Sequence, residues 1–116
     1  MMYEEIKKKY TEMFERNKLP YIRCNNCSYI FYYPRDYCPK CGSRKLEVLE
    51  SNGLGKVFSY TKFFNKEGKE IIYGIVELNE GFRIYTNFTS NIDIGDRVKV
   101  KFIKVNNKII PVFDKV

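Results

Sequence analysis

The sequence predicts a mainly β protein in three parts: an N-terminal helical arm, a small module built on cysteines, and a C-terminal barrel of five strands. Three observations predict it. Residues 2–18 carry apolar side chains at helical spacing. All four cysteines fall between Cys24 and Cys41, as two C-x-x-C pairs. From Glu50 onward the chain is a series of short β-branched and aromatic runs, punctuated by glycines and polar turns.

In the first part, Tyr3, Ile6, Tyr10, Met13 and Phe14 recur at spacings of three and four and make one apolar stripe. Glu4–Lys8, Glu5–Lys9 and Glu12–Arg16 are i,i+4 pairs with the acid first, the favourable order. Pro20 ends the pattern. Such a helix either packs on its own chain or docks on a partner, and the sequence leaves both open. The arm is assigned to residues 1–20.

The second part is assigned to residues 21–48. Cys24-Asn25-Asn26-Cys27 and Cys38-Pro39-Lys40-Cys41 are two knuckles, each able to aim two sulfurs at one point. Gly42 suits the positive φ that brings backbone N–H groups toward the sulfurs. Tyr29 to Tyr33 is a strand-like run, and Pro34-Arg35-Asp36 turns the chain back to the second knuckle. This spacing is that of a rubredoxin-like zinc ribbon, with Cys24, Cys27, Cys38 and Cys41 as the metal ligands. A site filled by four cysteines leaves no open coordination position, so its zinc is expected to be structural. A rubredoxin-like iron centre uses similar knuckles, and spacing alone leaves that metal open.

The third part, residues 49–116, is expected to form a small OB-fold barrel. Strands are predicted near Gly55–Phe64, Ile71–Leu78, Phe82–Phe88, Arg97–Val105 and Lys108–Phe113. Asn65 to Gly68, Asn79 to Gly81 and Asn106-Asn107 read as hairpin turns. Val98, Val100 and Phe102 alternate with lysines and face inward. The strand from Ile71 is apolar on both faces. Ile72 and Val76 can line the barrel, whereas Ile71, Tyr73 and Ile75 need a cover: the helix, the ribbon, a partner or a ligand.

Charge and composition bound the function. The formal net charge is +7, and a four-cysteine zinc site would bring it to about +5. Such a balance favours anionic partners: nucleic acid, phosphates or coenzyme A. The chain has no histidine, so neither a Ser-His-Asp nor a Cys-His arrangement can be built. No paired-carboxylate or phosphate-loop motif is present, and the metal commits the only four thiols. No catalytic residue is assigned, and the chain is expected not to be an enzyme. No apolar run reaches transmembrane length and the N-terminus lacks a hydrophobic signal core, so the expectation is a soluble, cytoplasmic protein.

The ordered combination of these elements resembles the DUF35 family of zinc-ribbon and OB-fold proteins associated with acyl-CoA. The resemblance is carried by Phe14 and Leu19 leading into Arg23-Cys24, and by Tyr32-Tyr33-Pro34-Arg35 before Cys38-Pro39-x-Cys41-x-Ser43. It continues through Ser51-x-Gly53-x-Gly55-x-Val57, Ile94-Gly95-Asp96-x-Val98 and Pro111-x-Phe113, and so covers nearly the whole chain. Ser28 stands where the family commonly has glycine, and Tyr33 where it commonly has proline. The resemblance implies zinc rather than iron. It also implies a non-catalytic subunit that binds coenzyme A or acyl-CoA and associates with a thiolase-type or related acyl-CoA condensing enzyme, which supplies the catalytic groups. Candidate ligand contacts are Arg35, Lys62, Lys99 and Lys101 for the anionic end and Tyr60 for stacking or the pantetheine chain. The alternative is a single-stranded nucleic-acid binder, with exposed tyrosines as stacking platforms. Against it, the barrel's excess charge is modest and no strand alternates basic and aromatic residues densely.

Overall fold

The computed structural model describes residues 2–116. One helix, α1 (Tyr3–Glu15), precedes eight strands. The helix stops at Glu15, earlier than Pro20 would require, because Asn17 takes the left-handed conformation at φ 58°. The Lys18 N–H then bonds the Met13 carbonyl at 2.9 Å and the Asn17 N–H bonds that of Phe14 at 3.0 Å, which closes a Schellman cap.

Two strands flank the cysteines that the sequence pattern did not separate from the module: β1 (Leu19–Cys24) and β3 (Leu46–Ser51). With β2 (Ile30–Phe31) they form a sheet in the order β2-β1-β3. β2 is shorter than the Tyr29–Tyr33 run suggested, and its partners are only Ile22 and Arg23. Pro20 sits in β1 opposite Glu50, beyond the reach of β2, so its missing N–H breaks no ladder.

The barrel strands are β4 (Leu54–Phe64), β5 (Glu70–Leu78), β6 (Arg83–Asn87), β7 (Arg97–Val105) and β8 (Lys108–Lys115). All five expected strands are present. Their order is β6-β5-β4-β7-β8, and a parallel bridge from Phe88 to Phe113 brings the two ends together. This is a nearly closed five-stranded barrel of OB type. Val57, Val76, Ile84, Val98 and Phe113 fill it. Val98 is fully buried and Val100 and Phe102 half-buried, while the lysines between them are exposed, as the alternation demands. At Gly74 a Cβ would lie 2.1 Å from the Ser59 carbonyl oxygen, so only glycine lets β4 and β5 approach there.

Three contacts make the parts one body. α1 buries Ile6 and Tyr10 against Ile22, Phe31, Leu46 and the cysteines Cys24 and Cys38. Phe14 reaches the barrel at Phe102, with ring centroids 6.3 Å apart. From the barrel, Phe82 stacks on Tyr21 at 5.0 Å and on Tyr32 at 6.1 Å. The helix therefore packs on its own chain. It lies against β1 and β8, leaving Tyr73 exposed and stacked on Tyr85 at 6.2 Å.

Ile6 is fully buried beneath the helix, and Ile6→Ala leaves a cavity against the cysteine module. The expected cost is about 2–5 kcal/mol, read as a lower midpoint in chemical denaturation.

Candidate metal centre and the groove beside it

Each knuckle is a tight turn held by its own backbone. The Ser28 N–H bonds the Cys24 carbonyl at 2.8 Å, and the Gly42 N–H bonds the Cys38 carbonyl at 2.8 Å. Both turns end on a positive φ, 65° at Ser28 and 78° at Gly42. Serine thus holds the same backbone shape as the glycine of the second knuckle, at a steric cost glycine avoids. The local loop is kept despite the substitution.

The two turns point four sulfurs at one centre. Cys24 Sγ lies 3.6 Å from Cys41 Sγ, and Cys27 Sγ lies 3.6 Å from Cys38 Sγ. All four sulfurs lie within 4.8 Å of one another. A tetrahedron with zinc–sulfur bonds of about 2.3 Å has edges of about 3.8 Å. The observed spacing fits that solid and is far too long for a disulfide. The donor set fits zinc, and the four residues named from the sequence are the ones brought together.

Hydrogen bonds prepare the sulfurs as thiolates. The Lys40 N–H donates to Cys38 Sγ at 3.4 Å, and the Asn26 side-chain amide to Cys41 Sγ at 3.6 Å. The Asn26 amide, helped by the Ser43 N–H, holds the Cys41 thiol down to about 6. Burial pushes Cys38 up, yet the N–H groups of Cys41 and Lys40 outweigh it and leave it lowered. At Cys27 the Tyr29 N–H lowers the thiol, but burial and the three crowding sulfurs win and push it up to about 12. A dication relieves that crowding by displacing the proton. When bound, zinc supplies a structural cross-link: every sulfur is used, with no position for water or substrate.

The sequence-predicted ligand contacts do not gather at one place. Arg35 lies in a groove of about 500 Å³ between the inter-knuckle segment and the β5–β6 turn, beside Tyr29, Tyr33, Phe82 and Arg83. Arg83 also lies 3.9 Å over the Phe58 ring and 3.4 Å from Glu77. Tyr60 and Lys62 are together on β4, with the ammonium 5.9 Å from the ring centre, and the Tyr60 hydroxyl faces Asp93 at 3.5 Å. Lys99 and Lys101 are exposed on β7. The groove was missed by sequence reasoning, because Phe82 and Arg83 meet Tyr29 and Tyr33 only through the docking of the two parts. The Tyr33 hydroxyl accepts the Tyr85 N–H at 3.1 Å at the middle of the β6 edge, a role proline at this position could not fill.

A zinc ribbon set against an OB-type barrel defines the class. The family described as the ChsH2 rubredoxin-like zinc ribbon domain matches residues 11–47. A DUF35 domain-containing scaffold protein of Methanothermobacter thermautotrophicus is 32% identical, over 92% of this chain and 88% of its own length. A probable enoyl-CoA hydratase alpha subunit of Thermomonospora curvata is 29% identical over 88% of this chain, which spans 35% of that longer protein. Among solved structures, the "Ltp2-ChsH2(DUF35) aldolase" contains a chain that superposes with a TM-score of 0.81 at 27% identity, covering 93% of this chain and 92% of that one. The chain belongs to the DUF35 family.

Two outcomes are expected. Ser28→Gly removes the left-handed penalty and stabilises the zinc-loaded protein by about 1 kcal/mol, read as a raised thermal midpoint. Each sulfur binds zinc as a thiolate, so protons compete with the metal for all four cysteines. Zinc retention, followed with a chromophoric chelator, should therefore weaken on acidification and hold at alkaline pH.

Proposed function

We propose that the chain is a non-catalytic scaffold subunit of an acyl-CoA enzyme. In this reading it associates with a thiolase-type or related condensing enzyme and holds a CoA thioester beside the partner's active site. One observation carries the proposal. The four thiols all turn inward to one closed tetrahedron, in a chain without histidine, so the molecule offers a shaped exterior and no reactive centre. The related proteins support it. One is named a scaffold, one solved relative is titled "Ltp2-ChsH2(DUF35) aldolase", and a third carries an acyl-CoA enzyme's name.

Within this reading α1 covers the ribbon, β1 to β3 with the two knuckles form the clamp, and β4 to β8 present the barrel to ligand and partner. Arg35 is the candidate for a phosphate of coenzyme A, since it lies in an aromatic groove and has no ion-pair partner among the described residues. Tyr60, Lys99 and Lys101 are candidates for a second stretch of the ligand. A cytoplasmic site of action is part of the same proposal; among the described residues, no helix is long and apolar enough to cross a membrane.

Affinity capture with the tagged full chain from native extract, with nuclease present, tests this. The expected result is near-stoichiometric recovery of an acyl-CoA condensing or cleaving enzyme, and no acyl-CoA turnover by the chain alone. Recovery of transcription, ribosomal or repair proteins without such an enzyme would put the nucleic-acid reading first.

A further inference from the structure

β4 is eleven residues long, but it is paired on both sides only at its start. Its ladder to β7 covers Leu54 to Lys56, and Val57 is then held by the loop before β7, through Asp96 and Gly95. From Ser59 to Phe64 only β5 is paired to it. The alternation of this ladder can be fixed. The Asn65 N–H bonds the Lys69 carbonyl at 2.9 Å, so counting back from the turn Phe63, Thr61 and Ser59 point at β5. The Ile72 carbonyl, opposite Lys62, accepts from the Phe88 N–H on the far side, which confirms the count. The N–H and C=O groups of Tyr60, Lys62 and Phe64 therefore face outward, and among the described residues no strand meets them.

This edge is blunted only by the irregularity between Val57 and Ser59 and by Lys62. Its side chains are aromatic: Phe63 is 47% exposed and Phe64 is 70% exposed. Phe63 lies opposite Ile71 on the outer face, and Tyr73 and Tyr85 continue the apolar surface across β5 and β6. The hairpin is also stiff at its tip, where the Asn65 side chain accepts the N–H groups of Glu67 at 3.0 Å and Lys69 at 2.9 Å. Between Ser59 and Phe64 the only charge is Lys62.

We propose that the β4 edge at Tyr60, Lys62 and Phe64 is completed by an extended segment of the partner enzyme, which adds a sixth strand to the barrel sheet. The segment carries an acidic residue against Lys62 and apolar residues on the side facing Phe63. A second copy of this chain fits poorly. Full antiparallel pairing of two such edges puts the two-fold axis at Lys62, the middle of the three outward residues, and sets the two ammonium groups against each other. The inference rests on the scaffold reading and specifies its contact.

The test uses the full zinc-loaded chain and the enzyme recovered by the capture above. Lys62→Pro and Phe64→Pro each remove an outward N–H without touching the β4–β5 ladder. Both are expected to weaken binding about tenfold or more, with zinc content and circular dichroism unchanged. Lys62→Glu should weaken it through charge alone. In the wild-type complex, hydrogen exchange should slow at the amides of Tyr60, Lys62 and Phe64. Absence of that protection, or unchanged binding by both proline variants, overturns the edge while leaving the scaffold reading in place. If the wild-type chain recovers no acyl-CoA enzyme, both fall. A wild-type dimer that Lys62→Pro turns into a monomer assigns the edge to a second copy and overturns the proposal.

Discussion

Everything in the N-terminal half hangs on the four-sulfur cluster. Two of its members, Cys24 and Cys38, are also core residues, buried with Ile6, Tyr10 and Ile22. The ribbon sheet has only three strands, one of them two residues long. A sheet so small cannot bury enough surface to offset its own ordering, and the metal supplies the missing cross-link. Once the knuckles are clamped, the apolar stripe of α1 has a floor to lie on. Once β1 and the inter-knuckle segment are placed, Tyr21 and Tyr32 form the slot that receives Phe82 from the barrel. The order of dependence runs from sulfur to helix to docking.

The barrel core is not separate from the ribbon. Leu19 of β1 is fully buried among Val57, Val76, Ile84, Val98 and Phe113, and the bridge from Phe88 to Phe113 brings the ends of the barrel sheet together. The ribbon also adds outer surface. Tyr33 seals part of the β6 edge, Ser51 and the Asn52 N–H bond Glu80, and the groove holding Arg35 exists only between the two parts. The metal clamp thus shapes that groove, which Pro39 of the second knuckle also lines. The barrel forms one wall of the groove and the metal-locked ribbon the other.

Much of this was legible in the chain before folding. The strong signals were local. Two C-x-x-C pairs named the ligands, because a metal ligand set is a property of spacing and residue type. Asn106-Asn107 named a hairpin, and both residues do take positive φ. The alternation from Arg97 to Phe102 named its buried face. The weaker results have physical reasons too. β1 was hidden because Pro20 reads as an interruption, yet the proline falls where no second neighbour needs its N–H. The helix was read too long because the stop came from Asn17 adopting the left-handed conformation, which asparagine permits but does not require.

By itself, then, the sequence determined the element types and the four cysteines of the metal centre, since these follow from residue chemistry at short range. Only the tertiary structure decided how those pieces face one another. It seated the helix on the cysteine module, set Arg35 apart from Tyr60 and Lys62, and left one edge of β4 unpaired from Ser59 to Phe64. Those outcomes rest on packing between residues far apart in the chain. The clearest case is Phe82 between Tyr21 and Tyr32, a contact that no spacing within any one segment encodes.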